Sequence, residues 1–255
     1  MTGAFRTEAG GRVDRGRPIA FSFDGRAYTG CAGDTLASAL LANGVHLVGR
    51  SFKYHRPRGI LAAGSEEPNA LVGVDRGPGR YAPNLRATQV ELHDGLVAES
   101  QNRFPSLRLD IAALGDLAAP LIPAGFYYKT FMRPAAWWAK IYEPRIRAAA
   151  GLGRAPRGAD PDRYTQRHAH CETLVIGAGP AGLAAALAAA ARGDRVILCD
   201  EQAEPGGSLL AETRATIDGA PARDWLAASV AQLAANPRVT LLPRTTAFGY
   251  FAQNF

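Results

Sequence analysis

Residues 172–201 constrain the fold more than any other stretch of this chain. ETLVIG is an apolar run ending in glycine, AGPAG follows it, LAAALAAAARG has helical composition, and DRVILCDE is a second apolar run that closes on acids. Strand, glycine turn, helix and strand in that order make a βαβ unit with a parallel sheet. Within it, Gly177, Ala178, Gly179, Pro180, Ala181 and Gly182 fit the pattern G-x-G-x-x-G. The pattern carries meaning because it follows a strand and opens a helix. Gly177 permits the tight turn, Gly179 lets the backbone approach a pyrophosphate, and Gly182 lets the helix pack closely on the strand. The unpaired N–H groups of the helix start, at the positive end of its dipole, then meet the phosphates.

Asp200 and Glu201 end the second strand about twenty residues beyond the last glycine, where an acid accepts hydrogen bonds from the adenosine ribose. Asp200 is the first choice for that contact. An acid there with no Arg directly after it disfavours the 2′-phosphate of NADP. Gln202 and Ser208 can add contacts, and Gly206 with Gly207 allows close backbone approach. The competing reading is a run of turn glycines beside a solvated acidic pair. The pattern does not separate NAD from FAD, because both share the ADP half. A further helix over 221–235 and a third strand, RVTLLP, continue the same sheet.

The N-terminal part has a different grammar. Residues 19–30, IAFSFDGRAYTG, alternate around Asp24-Gly25, a hairpin signal. In AGDTLASALLANG, Asp34 or Thr35 can cap a helix that places Leu36, Ala39, Leu40 and Val45 on one face and ends at Gly44. A hairpin followed by a short helix opens a β-grasp sheet, with further strands expected at 71–74 and 88–92. The fold class is therefore α/β plus α+β: a β-grasp domain over 1–105, an aromatic and basic connector over 106–168, and the start of a Rossmann-like FAD/NAD(P)-binding domain over 169–255. Packing of the connector aromatics in GFYYKTFMRPAAWWAKIYEPRIR is expected over one of the domains, with a partner subunit as the alternative.

Composition narrows the functional classes. Twenty-nine Lys and Arg against 23 Asp and Glu give a net charge of +6, but the basic residues are dispersed and carry no nucleic-acid motif, so no nucleic acid is expected. The loop RSFKYHRPRG concentrates Arg50, Lys53, His55, Arg56 and Arg58, either to meet an anionic cofactor or partner, or as a solvated or internally paired charge run. Cys31, Cys171 and Cys199 form neither a disulfide framework nor a C-x-x-C redox pair. His46, His55, His93, His168 and His170 lack metal-ligand spacing, so no metal site is expected. No apolar run approaches the roughly twenty residues of a membrane span. The N-terminus lacks a secretory pattern, and a cytoplasmic, membrane-free protein follows as the expectation.

GDTLASALLANGVHLVGRSFKYHRPRG at 33–59, with EEPNALV at 66–72, resembles the N-terminal region of the alpha subunits of heterotetrameric sarcosine oxidases. VIGAGPAGLAAALAAA followed by DEQAEPGGSLL resembles a wider set of amine and amino-acid dehydrogenase subunits. The resemblance implies a chain working with beta, gamma and delta subunits. There sarcosine is oxidised to glycine at FAD in the beta subunit, electrons pass to FMN at an interface, and oxygen becomes peroxide. It further implies NAD in the glycine motif, with FAD as the other occupant, and one-carbon capture by tetrahydrofolate in a C-terminal half beyond residue 255. No catalytic residue is expected here, and the chain reads as a fragment. Relatives that oxidise proline or opines carry β-grasp cysteines for an iron–sulfur cluster. The corresponding segment here, ILAAGSEEPNALVGV, has none, whereas a cluster needs four thiolates or close substitutes. The expectation is a 2Fe-2S ferredoxin-like domain with its cluster lost. A non-catalytic dinucleotide-binding or assembly module, or a subunit of a related amine or amino-acid dehydrogenase, are the alternatives.

Overall fold

The computed structural model describes residues 3–121, 125, 131–149, 151, 153–156 and 158–252. The chain divides into two compact units, Met1–Arg163 and Tyr164–Phe255, so that most of the connector clusters with the first.

In the first unit, β1 (Asp14–Phe23) and β2 (Arg26–Ala32) pair antiparallel around Asp24 and Gly25. Both turn residues have positive φ, 49° and 74°, as a two-residue hairpin requires. The Asp24 carboxylate also accepts the N–H and hydroxyl of Ser100, fastening the turn to the far strand. Helix α1 (Leu36–Ala42) is capped by Thr35, whose side chain and Ser38 form a reciprocal capping box. Its Leu36, Ala39 and Leu40 are fully buried, and Gly44 ends it at φ 75°. After the short ribbon of β3 (Gly49–Arg50) and β4 (Pro57–Arg58) come β5 (Leu71–Asp75), β6 (Tyr81–Arg86) and β7 (Leu96–Ser100). The five-stranded order is β2-β1-β7-β5-β6, with β1 and β7 parallel and the other pairs antiparallel. One face of this sheet and α1 bury Val48, Val72, Val74 and Leu96 in a single core.

The strand expected at 88–92 is instead a turn. Its polar backbone is taken up by the start of α1: Leu36 N–H donates to Val90 O and Leu92 N–H to Asp34 O. Val90 and Leu92 are buried without joining the sheet. The strand lies further on, in β7, where LVAES alternates buried and exposed side chains.

The connector holds a 3-10 helix (Ile111–Leu121), a π-helical turn (Trp138–Tyr142) and α2 (Glu143–Ala149). Phe126, Tyr127, Tyr128 and Lys129 lie outside the described residues. Of the remaining aromatics, Trp137 and Trp138 are 50% and 43% exposed, while Phe131 and Tyr142 are half-buried. The rings of Trp137 and Phe131 lie 6.2 and 5.2 Å from that of Tyr142.

The second unit is a three-stranded parallel sheet ordered β12-β9-β8, built from β8 (Thr173–Ile176), β9 (Val196–Cys199) and β12 (Val239–Leu242). Helix α3 (Pro180–Ala191) joins β8 to β9, a two-residue hairpin of β10 (Thr216–Ile217) and β11 (Ala220–Pro221) follows, and α4 (Ala222–Ala235) leads into β12. Leu183, Ala186 and Ala189 of α3 and Leu226 and Leu233 of α4 cover one sheet face, meeting Val196 and Leu198. Alternate residues Leu174 and Ile176 point away from that core and stay exposed. Among the described residues no helix is long and apolar enough to cross a membrane.

Candidate functional site

The glycine loop sits where β8 runs into α3, and each glycine has its own structural reason. Gly177 has φ 95°, which a side chain would strain. Its N–H donates to Cys199 O at 2.8 Å, tying the loop to the end of β9. A Cβ on Gly182 would lie 1.8 Å from the Gly177 carbonyl oxygen, so the first helical turn can pack on the loop only without one. Gly179 differs from both. It caps α3 with φ −72° and ψ −177°, ordinary extended backbone, and a Cβ there would find only the Gly207 Cα, at 4.0 Å. The fold itself therefore leaves room for a methyl group at 179.

Pro180 is the first helical residue and has no N–H to leave unpaired. Leu183 N–H makes the first helical bond, to Gly179 O at 2.9 Å. The N–H groups of Ala181 and Gly182 have no acceptor within the helix and mark its positive end. Opposite stands the second glycine pair. Gly206 N–H donates to Ala178 O at 2.8 Å, and a Cβ on Gly207 would come within 2.9 Å of the Gly179 Cα. Ser208 lies exposed in the 3-10 turn Gly207–Leu210 that follows.

Asp200, the expected ribose ligand, has both carboxylate oxygens engaged by backbone amides, one of the glycine loop and one of its own turn. One accepts the Ala178 N–H at 2.5 Å and the other the Gln202 N–H at 2.7 Å. Its own N–H reaches Leu242 O and its carbonyl accepts the Thr245 N–H, so Asp200 joins the ends of all three strands. Glu201 beside it is exposed and Gln202 half-buried. The structure thus brings Gly177, Ala178, Gly179, Pro180, Ala181, Gly182, Asp200, Gln202 and Gly207 into one loop cluster. Cys199 lies beneath it, buried, with its thiol ionisation pushed up by burial.

The basic loop 50–58 is largely paired within its own unit. Arg50 donates to Leu107 O and His55 O at 2.9 and 2.8 Å, His55 Nδ1 meets the buried Asp110 carboxylate at 2.8 Å, and Arg56 pairs with Asp116. Asp110 and Asp116 carry no sequence signal of this role, because they lie 50 and more residues away from their partners.

Residues 16–103 match the 2Fe-2S iron-sulfur cluster binding domain family, and residues 172–245 match the FAD dependent oxidoreductase family. The class defined by fold and site is thus a ferredoxin-like domain joined to a flavin-dependent oxidoreductase domain. By sequence the chain is similar to the sarcosine oxidase alpha subunits over part of their length. It is 61% identical over 251 residues to sarcosine oxidase subunit alpha of Rhizobium meliloti strain 1021, a match covering 98% of this chain and 25% of that protein. With sarcosine oxidase subunit alpha of Corynebacterium sp. strain P-1 the identity is 38%, over 96% of this chain and 20% of that one. The chain therefore spans a quarter or less of these relatives. A solved L-proline dehydrogenase from P. horikoshii shares the fold at TM-score 0.55 and 18% identity, over 97% of this chain and 36% of that chain.

These matches correct the cofactor expectation. The second unit matches a family named for FAD, not NAD, and the first matches the 2Fe-2S iron-sulfur cluster binding domain family, a match that overturns the expectation of no iron–sulfur cluster. The residues of this chain do not themselves assemble a four-thiolate ligand set. Cys31 is the one cysteine within 16–103, and among the described residues no group of three His, Cys, Asp or Glu is placed to hold a metal ion. What organises the loop 60–70 is Glu67, only 1% exposed. Its Oε2 accepts the N–H groups of Leu61 and Ala62, both at 2.7 Å, and its Oε1 those of Asn69 and Ala70 at 2.7 and 3.0 Å. Burial pushes this carboxyl up, but the four N–H bonds together outweigh it and hold it below the usual range.

Proposed function

We propose that the second unit binds the ADP moiety of FAD, and that the chain is the N-terminal part of the alpha subunit of a multi-subunit, flavin-dependent sarcosine oxidase. The observation that carries the site is Gly179, a glycine that neither backbone conformation nor packing explains. A diphosphate against the helix start explains it, since a Cβ would stand between the phosphates and the Ala181 and Gly182 amides. Asp200 holds the loop in shape. Glu201, the neighbouring exposed acid, accepts the ribose hydroxyls, with Gln202 and Ser208 adding polar contacts beside Gly207. Bound FAD supplies the two-electron redox chemistry. This chain contributes binding and orientation of the nucleotide.

The substrate assignment rests on relationship to the named alpha subunits. Oxidation of sarcosine to glycine, peroxide formation and one-carbon capture by tetrahydrofolate are assigned to the assembled enzyme with its beta, gamma and delta partners. The test of the site is a fluorescence-anisotropy titration of the 255-residue chain with FAD, repeated with ADP as competitor. Saturable binding that ADP displaces is expected, weakened several-fold by Glu201→Gln. Failure of ADP to compete would remove the site from the glycine loop.

A further inference from the structure

The loop and helix that follow β7 in the first unit present an apolar ridge that has no part in dinucleotide binding. Ile111, Leu114 and Leu117 of the 3-10 helix Ile111–Leu121 are 52%, 65% and 83% exposed. With three residues per turn, side chains at i and i+3 eclipse one another, so these three stand in one row about 12 Å long. Between them Ala112, Ala113 and Asp116 are half-buried. Phe104 and Leu109, 65% and 68% exposed, extend the row at its start, where Ile111 N–H donates to Phe104 O at 2.7 Å.

The same segment is fastened from its other side. Leu107 is buried in the core of the first unit, and its carbonyl accepts Arg50 at 2.9 Å. The buried Asp110 carboxylate meets His55 Nδ1 and accepts the N–H groups of Phe104 and Ala112, while Asp116 pairs with Arg56 at 2.8 Å. Both acids of residues 104–121 are thus spent on the first unit. Arg108 in this segment and Arg58, two residues beyond Arg56, stay exposed. The apolar row therefore has a positive border. A contiguous exposed apolar patch with a charged border marks an interaction surface, and a single row of side chains on one edge of a helix fits a groove. A symmetric contact between two copies of this chain would set two positive borders against each other. The matching surface is instead an apolar groove edged with acids.

We propose that this ridge seats in an apolar, acid-edged groove of a partner subunit, an inference that rests on the multi-subunit reading above. The test uses the assembled oxidase, purified through a tag on its alpha subunit, with the photo-crosslinking residue benzoylphenylalanine in place of Leu114 or of Leu117. Mass spectrometry of the crosslinked peptides is expected to find a segment of another subunit that carries Asp or Glu. Capture of another stretch of the alpha chain, of a second alpha chain, or of nothing would overturn the proposal. Leu117→Asp, a change at an exposed position, is expected to leave FAD and ADP affinity unaltered and to lower the partner retained on the tag at least about tenfold. Arg108→Glu should lower it several-fold. Retention unchanged by Leu117→Asp would overturn docking at this ridge and leave the multi-subunit reading standing, whereas an alpha chain that purifies with no partner overturns both.

Discussion

The loop 60–70 of the first unit and the glycine loop 177–182 of the second use one physical device in opposite ways. Both gather backbone N–H groups that need negative charge. In the first, the charge is internal: the Glu67 carboxylate accepts four N–H groups and is buried with them. In the second, Asp200 accepts two N–H groups at the rear of the loop, and the N–H groups at the start of α3 are left for a charge from outside. A loop that carries its own anion is closed upon itself, and one that withholds it leaves its amides open to an anion from outside. The family matches alone do not draw that distinction, since both units match families named for a cofactor.

The comparison breaks most sharply at Gly182. Gly182→Ala sets a Cβ against the Gly177 carbonyl and is expected to cost the second unit about 3 kcal/mol or more, with ADP binding lost alongside. Chemical denaturation followed by far-ultraviolet dichroism checks it, and the first unit's transition should not move. Next in size, Glu67→Gln exchanges an acceptor for a donor among four N–H groups and should destabilise the first unit by about 2 kcal/mol. ADP affinity should be untouched by it; a loss would show that the two loops are not independent.

The same carboxylate fixes the sign of a pH effect. Its folded pKa lies below the unfolded value of about 4.3, so its stabilisation is fully present above that value and is lost as pH falls through the folded pKa. The melting temperature of the first unit should therefore drop on acidification below roughly pH 4.5, and Glu67→Gln should flatten that limb. The smallest effect is expected at Asp200→Asn. It puts an amide where the Ala178 and Gln202 N–H groups need an acceptor, for about 1 kcal/mol of second-unit stability and a several-fold weaker ADP affinity. Unchanged affinity there would separate loop shape from binding.

What could be read in the sequence follows from the same contrast. Gly177, Gly182 and Gly207 answer to local steric rules, positive φ or a missing Cβ, and such rules leave a pattern in the letters. The Asp24-Gly25 hairpin and the Thr35 cap were legible for the same reason. Glu67 left no such trace, because an acid in a polar loop looks solvated until the chain folds over it. Residues 88–92 misled because burial of alternate side chains, Val90 and Leu92, satisfies a turn packed on α1 as well as a strand. The pairing of Arg50 and His55 with Asp110 depends on a long-range fold contact. For Asp200 the sequence placed the acid correctly at the strand end, but not the loop amides that engage it.

The most direct test is the dinucleotide affinity of Gly179→Ala set beside its stability. The backbone at 179 is ordinary and the nearest atom to an added Cβ is 4.0 Å away, so the variant should melt with the wild-type chain. Its affinity for FAD and ADP should fall at least about tenfold, because the added methyl stands where the diphosphate must approach. A variant that melts normally and binds both nucleotides as tightly as the wild type would contradict the glycine-loop site.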